Sequence, residues 1–215
     1  SVLDSSDTFI VGKYPENLLA ARPKHLEDIS ITRIFATPDQ ITSERAEVLR
    51  NLNVQCVFMG VESYDNGILQ RIGKPYTTAD VDQAVQILSD FGIQLHVPFM
   101  YGLPGETADT LQQTYAYAQK VVAEHPETIL LTSFAVPLPG SKLFEDLRKH
   151  VAQEYPGDLN QDDSFNYRAL VELQLKHFSA VTYDQCQEMI TKTMTLASTA
   201  ATSFDINTQP SGDNK

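Results

Sequence analysis

Residues 54–61 read Val-Gln-Cys-Val-Phe-Met-Gly-Val, a nearly continuous apolar run. A run of this length without polar alternation suits a strand buried on both faces of a parallel sheet. A helix fits just before it, over Ser43 to Leu52, with Thr42 as cap and Glu44 in the first turn, where the helix dipole favours an anion. Before that helix, Ile29 to Phe35 reads as a strand and Thr37-Pro38-Asp39-Gln40 as a turn. After the run, a short helix is expected around Gly67 to Ile72. A longer one starts at Thr77, which has Asp80 three places on in a loose capping box, and runs to about Phe91. Its apolar positions Val81, Ala84, Val85 and Leu88 share one face, and Gly92 ends it.

The alternation continues downstream. Ile93 to Tyr101 is a strand, Gly102-Leu103-Pro104-Gly105 a turn, and Thr107 the start of an amphipathic helix carrying Leu111, Ala118 and Val121. Thr128 to Val136 is the last strand, closed by Pro137-Leu138-Pro139-Gly140. Strands separated by helices pair in parallel through right-handed crossovers, so the fold class is α/β. Beyond residue 141 the strands stop. Leu143–Val151, Phe165–Phe178 and Tyr183 to about Thr199 read as helices, the last capped by Thr182. Tyr155 to Asp163 reads as a connector, and the polar stretch from Asn207 to Lys215 as a disordered tail.

The composition narrows the class of function. The net charge is −12 and the pI about 4.7, which argues against a broad nucleic-acid face, since phosphate binding needs clustered Lys and Arg. No apolar run is long enough to span a bilayer, so no membrane partner is expected and the compartment is read as cytoplasmic. The two cysteines, Cys56 and Cys186, make neither a metal-ligand spacing nor a disulfide framework, and both read as inert thiols. His96 reads either as facing a barrel interior beside a substrate or as a packed histidine. The other four histidines show no ligand spacing.

In parallel barrels, chemistry gathers at the C-terminal ends of strands. Three such ends carry unusual residues here: Gly60-Val61-Glu62-Ser63, Tyr101 to Thr107, and Val136 to Ser141. On the residues alone, two readings stay open for each: Glu62 as a ligand group or as a helix cap or surface ion-pair partner, Lys74 as a ligand group or a solvated lysine, and Gly102 as a close-approach glycine or plain turn chemistry. Taken together and in this order, they resemble the radical S-adenosylmethionine (SAM) superfamily. Gly60 to Lys74 (GVESYDNGILQRIGK) is similar to the segment in which an acidic or amide residue meets the ribose of SAM and a basic residue twelve positions later meets its carboxylate. The resemblance implies cofactor-binding roles for Glu62 and Ser63, for Lys74, for Tyr101 and Gly102 near the adenine, and for Val136 at the next strand end. Asp7, in the opening Asp4-Ser5-Ser6-Asp7-Thr8-Phe9, matches an acidic segment after the second strand.

The implied organisation is a partial parallel (β/α) barrel of the radical SAM type over 1–141, a helical extension over 142–206 and the tail over 207–215. The resemblance further implies a parent enzyme that cleaves SAM reductively to methionine and a 5′-deoxyadenosyl radical. Such an enzyme uses a [4Fe–4S] cluster and an electron donor such as flavodoxin or ferredoxin, and acts on a substrate that the sequence leaves unknown. This sequence departs from the family in three ways. It lacks the Cys-x-x-x-Cys-x-x-Cys that holds the cluster, which is expected upstream of Ser1, so the chain is expected to be an inactive portion of its parent. Pro98 stands where porphyrinogen-oxidase-like members carry an acidic residue, and Ser6 where many members carry an Asp. Two alternatives stay open: a non-catalytic barrel remnant that binds SAM or a protein, and a barrel enzyme needing no metal.

Overall fold

The structure, a computed structural model, describes residues 1–4, 6–151 and 167–207, without the side chains of 197–207. The connector over 155–163, Phe165 and the tail beyond 207 therefore lie outside the described residues. Four strands form one parallel sheet in the order β1-β2-β3-β4: β1 Ile34–Ala36, β2 Cys56–Met59, β3 Gln94–Tyr101 and β4 Ile129–Phe134. This is the α/β partial-barrel arrangement expected from the alternation of strand and helix.

Among the described residues eight α-helices accompany the sheet: α1 Tyr14–Ala21, α2 Ser43–Asn51, α3 Asn66–Arg71, α4 Thr78–Asp90, α5 Ala108–Glu124, α6 Lys142–Val151, α7 Tyr167–Phe178 and α8 Tyr183–Asn207. Helix α1 was not foreseen. It is eight residues long, starts with Pro15 in its first turn and buries only that proline, so its sequence carries little periodic signal. The strand expected over Ile29–Phe35 is split: Ile31 makes isolated bridges to Val2 and Val54, and the continuous ladder begins only at Ile34. Strand β2 is shorter than its apolar run because the chain turns at Gly60 to Glu62. Helix α8 continues to Asn207, past the expected end near Thr199.

The core follows from the pleat. Side chains alternate between the two faces of a strand, and directly paired residues share a face. One transverse row is Ile34, Val57 and Leu95, and another is Val97 and Leu130; all five are buried. They join Leu49, Val81, Ala84, Leu88, Leu111 and Val121 from α2, α4 and α5 in the main core. Each such Val, Leu or Ile side chain contributes roughly 1.5–3 kcal/mol by leaving water. Phe144, Leu147, Leu170 and Leu173 of α6 and α7 form a second, smaller core.

Helix α8 closes the β4 side, where Tyr183 stacks on Phe134 at 4.5 Å and Thr193 bonds the buried Tyr101 hydroxyl at 2.8 Å. Among the described residues no helix is long and apolar enough to cross a membrane.

The caps sit where the sequence put them. Thr77 accepts from the Asp80 amide at 3.4 Å, and the Asp80 carboxylate accepts from the Thr77 amide at 2.7 Å. Thr42, Thr107 and Thr182 accept in the same way from the amides of Arg45, Thr110 and Gln185. Thr77→Ala removes one of two reciprocal bonds at the start of α4. Urea unfolding is expected to show a loss of about 1 kcal/mol.

Candidate functional site

A cavity of about 470 Å³ opens at the C-terminal ends of β2, β3 and β4. Glu62, Lys74, Arg71, Lys142 and Asp146 form its polar side, and Met100, Leu103, Ala135 and Val136 its apolar wall; Leu143 and Phe178 add rim from α6 and α7. Lys74 Nζ donates to Glu62 Oε1 at 2.8 Å, with the two side chains 29% and 16% exposed. Both groups therefore face the cavity while keeping contact with water.

The backbone positions this pair at a local cost. Glu62 has φ 64°, in the left-handed region where a residue with a Cβ is strained by about 1–2 kcal/mol. Its amide donates to Pro98 O at 3.0 Å and its carbonyl accepts from the Met100 amide at 2.8 Å, so the sheet holds the conformation. Gly60 leaves room for the carboxylate: a Cβ there would lie 3.1 Å from Glu62 Oε1. Lys74 reaches the cavity from the loop after α3, whose start is capped by the Asp65 carboxylate on the Ile68 amide at 2.8 Å. The Tyr76 hydroxyl then ties that loop to Gly60 O at 2.7 Å, and burial raises the Tyr76 phenol well above its usual range.

Of the residues singled out in the sequence, Glu62, Lys74 and Val136 meet at the cavity. The others lie elsewhere. Ser63 is buried, 3.3 Å from the Thr114 hydroxyl of α5. The Tyr101 ring continues the helix-facing row of Leu95, Val97 and Phe99, and burial pushes its phenol up to about 12. Gly102 has φ 88° and backs onto Leu175 and Cys186 of the C-terminal helices, with only its neighbour Leu103 on the cavity wall. Asp7 is exposed on the N-terminal segment. Among the described residues no group of His, Cys, Asp and Glu could hold a metal ion. Cys56 and Cys186 are both buried, and burial pushes their thiols up to about 11 and about 12.

One residue behind the wall escaped the sequence reading. Glu106 is fully buried, and its Oε2 accepts from the Gly102 amide at 2.5 Å and the Leu103 amide at 3.0 Å. Gln174 of α7 donates to Gly102 O at 2.6 Å, and the Ser179 hydroxyl to Leu103 O at 2.9 Å. The same turn is closed by the Gly105 amide on Phe178 O and the Ala180 amide on Glu106 O. The cavity wall is thus fixed to the C-terminal helices. The clue in the sequence was a glutamate placed just before a Thr cap and four residues after a glycine.

Residues 8–118, just over half of the chain, match the model of the radical SAM superfamily. The chain is 26% identical over 134 residues to the heme chaperone HemW of Bacillus subtilis, covering 57% of this chain and 35% of that protein. Its fold is similar to that of the radical S-adenosylmethionine methyltransferase TsrM of Kitasatospora setae, solved with cobalamin and a [4Fe–4S] cluster bound. The TM-score is 0.61 at 18% identity, over 86% of this chain and 40% of that one. It is also similar to that of the coproporphyrinogen III oxidase HemN of Escherichia coli, with TM-score 0.52 and 13% identity over 81% and 33%. The chain thus spans about a third of the curated relative and of the oxidase.

Proposed function

Because this chain belongs to the radical SAM superfamily, we propose that the cavity beside Glu62 and Lys74 takes S-adenosylmethionine and that the whole protein uses it for radical chemistry on a substrate. The observation that carries this reading is the 2.8 Å pairing of Lys74 with Glu62 on the edge of a cavity with an apolar wall. A volume of about 470 Å³ suits a ligand of nucleoside size. A carboxylate accepts from two vicinal ribose hydroxyls, and a lysine offers a point charge to a carboxylate. Met100, Leu103 and Val136 give a flat base an apolar surface, which also limits water beside it.

When bound beside a reduced cluster, S-adenosylmethionine supplies the one-electron chemistry, and the protein's part is to hold and shield it. The residues of this chain do not fit the cluster. Three thiolates are needed, and the two cysteines are buried on β2 and on α8. We assign cluster binding, and contact with a flavodoxin- or ferredoxin-type electron donor, to other parts of the whole protein. The shortage of thiols also supports a second reading, in which this site binds S-adenosylmethionine without cleaving it.

Calorimetric titration of S-adenosylmethionine into this chain tests the site. Glu62→Gln and Lys74→Met should each raise Kd about tenfold, the size of one charged hydrogen-bonding partner. The melting temperature should move little, because a partly exposed ion pair adds little stability. Equal affinity in wild type and both variants would place the ligand elsewhere.

A further inference from the structure

The face of the sheet opposite the main core carries a second set of residues that the cavity, apart from Met100, does not use. On β3, His96, Pro98 and Met100 alternate with the buried Leu95, Val97, Phe99 and Tyr101, and so point to this other face. The strand register sets Phe35, Phe58, His96 and Ile129 side by side in one transverse row, and Pro98 beside Leu131 in the next. Ile129 and Leu131 are 40% and 38% exposed there. Phe35 and Phe58 are in contact, with ring centroids 5.0 Å apart.

Over both rings sits the guanidinium of Arg33, 5.1 Å from the Phe35 centroid and 5.9 Å from that of Phe58. Among the described residues Arg33 makes no hydrogen bond and no ion pair, and its buried Nε has no partner there. A guanidinium has five donors in a rigid fork shaped for a carboxylate. A buried N–H of that fork left without an acceptor, as at Nε, is costly unless an anion completes it. Burial, and after it the Arg33 charge, lowers the His96 pKa below its usual value.

This face is continuous with the cavity. Met100 belongs to both, and two residues of strand rise about 6.6–6.8 Å. His96 therefore lies about 13 Å from Met100 along β3.

We propose that this face is the substrate-binding surface, and that it takes a molecule with an extended apolar or aromatic body and a carboxylate end held by Arg33. Phe35, Phe58 and Leu131 receive the apolar body, and the end far from Arg33 points toward the Glu62–Lys74 cavity. This assignment rests on that cavity being the S-adenosylmethionine site.

A matched pair of fluorescent probes tests it on the whole chain: 1-pyrenebutyrate, and its neutral counterpart 1-pyrenebutanol. Wild type should bind both, and the acid more tightly. Arg33→Met should weaken 1-pyrenebutyrate about tenfold and leave 1-pyrenebutanol within twofold. Arg33→Lys should recover most of the loss, because it restores the charge, and Arg33→Gln, which also removes the charge, replaces Arg33→Met should that variant fail to fold. Phe58→Ala should weaken both probes alike. Affinity for the acid that is unchanged in Arg33→Met, or lost in Arg33→Met and not recovered in Arg33→Lys, overturns the proposal. The S-adenosylmethionine titration is run on the same variants and should not change. Absence of that binding, with the Arg33 dependence intact, sinks the cofactor assignment and leaves the anion site standing.

Discussion

Glu106→Leu is expected to unfold at pH 5 with about 3 kcal/mol less stability than wild type. The leucine fills the space and cannot accept a hydrogen bond. The amides of Gly102 and Leu103, which the carboxyl accepts at 2.5 and 3.0 Å, would stay buried without a partner. Each such loss costs roughly 1–3 kcal/mol. The wild type carries its own pH signature. Burial raises the Glu106 carboxyl from 4.5 to about 7, against the pull of the two amides, and Asp65 adds a smaller rise. The folded chain therefore binds this proton more tightly than the unfolded chain does. The resulting stability is fully present below about pH 4.5 and is lost as the pH rises to about 7, by roughly 3 kcal/mol at most. Glu106→Gln keeps an oxygen for both amides and cannot ionise. Its unfolding free energy, compared with wild type by urea titration at pH 5 and 7.5, should lack this fall and match or exceed wild type at the higher pH. Parallel pH profiles for the two proteins would show that Glu106 does not titrate in this range.

The sheet and most helices were legible because their signals are local. Thr77 with Asp80 is a reciprocal cap that needs only four residues, and Val54 to Val61 is apolar enough to name its own environment. The Glu62–Lys74 pair was singled out only through the family resemblance, and α3 with its loop brings the two side chains to 2.8 Å. The positions of Tyr101 and Ser63 were set by rules the motif does not carry. The pleat that buries Val97 and Phe99 also sends Tyr101 to the helices, toward Thr193. Ser63 turns to Thr114, a partner 51 residues away that no local pattern identifies. Arg33 and Glu106 share that difficulty. Each takes its meaning from neighbours on other elements: two rings on β1 and β2 for Arg33, and a turn held by α7 for Glu106. The left-handed Glu62 was also hidden, since what holds it at φ 64° is the neighbouring strand β3, which fixes both of its peptide groups.

Gly102→Val is expected to cost more than any other change at the site, about 3–5 kcal/mol, and to lower the melting temperature by about 10–15 °C. Two separable effects add up there. A β-branched residue at φ 88° is conformationally strained wherever it sits. In addition, a Cβ would lie 3.2 Å from Leu175 Cδ2 and 3.7 Å from Cys186 Sγ, so the side chain enters the packing between the turn and the C-terminal helices. The backbone has little room to relax, because Glu106 holds the amide and Gln174 the carbonyl. Gly140 supplies the control: its φ is 87°, and an added Cβ would meet nothing within 4 Å. Gly140→Ala should therefore cost only the conformational part, about 1 kcal/mol, and Gly102→Ala visibly more. The excess should shrink in Gly102→Ala combined with Leu175→Ala, as a coupling between touching residues requires. If the two alanine variants lose equal stability, the helices do not press on the turn, and the cavity wall at Leu103 is held by the hydrogen bonds of Glu106, Gln174 and Ser179 alone.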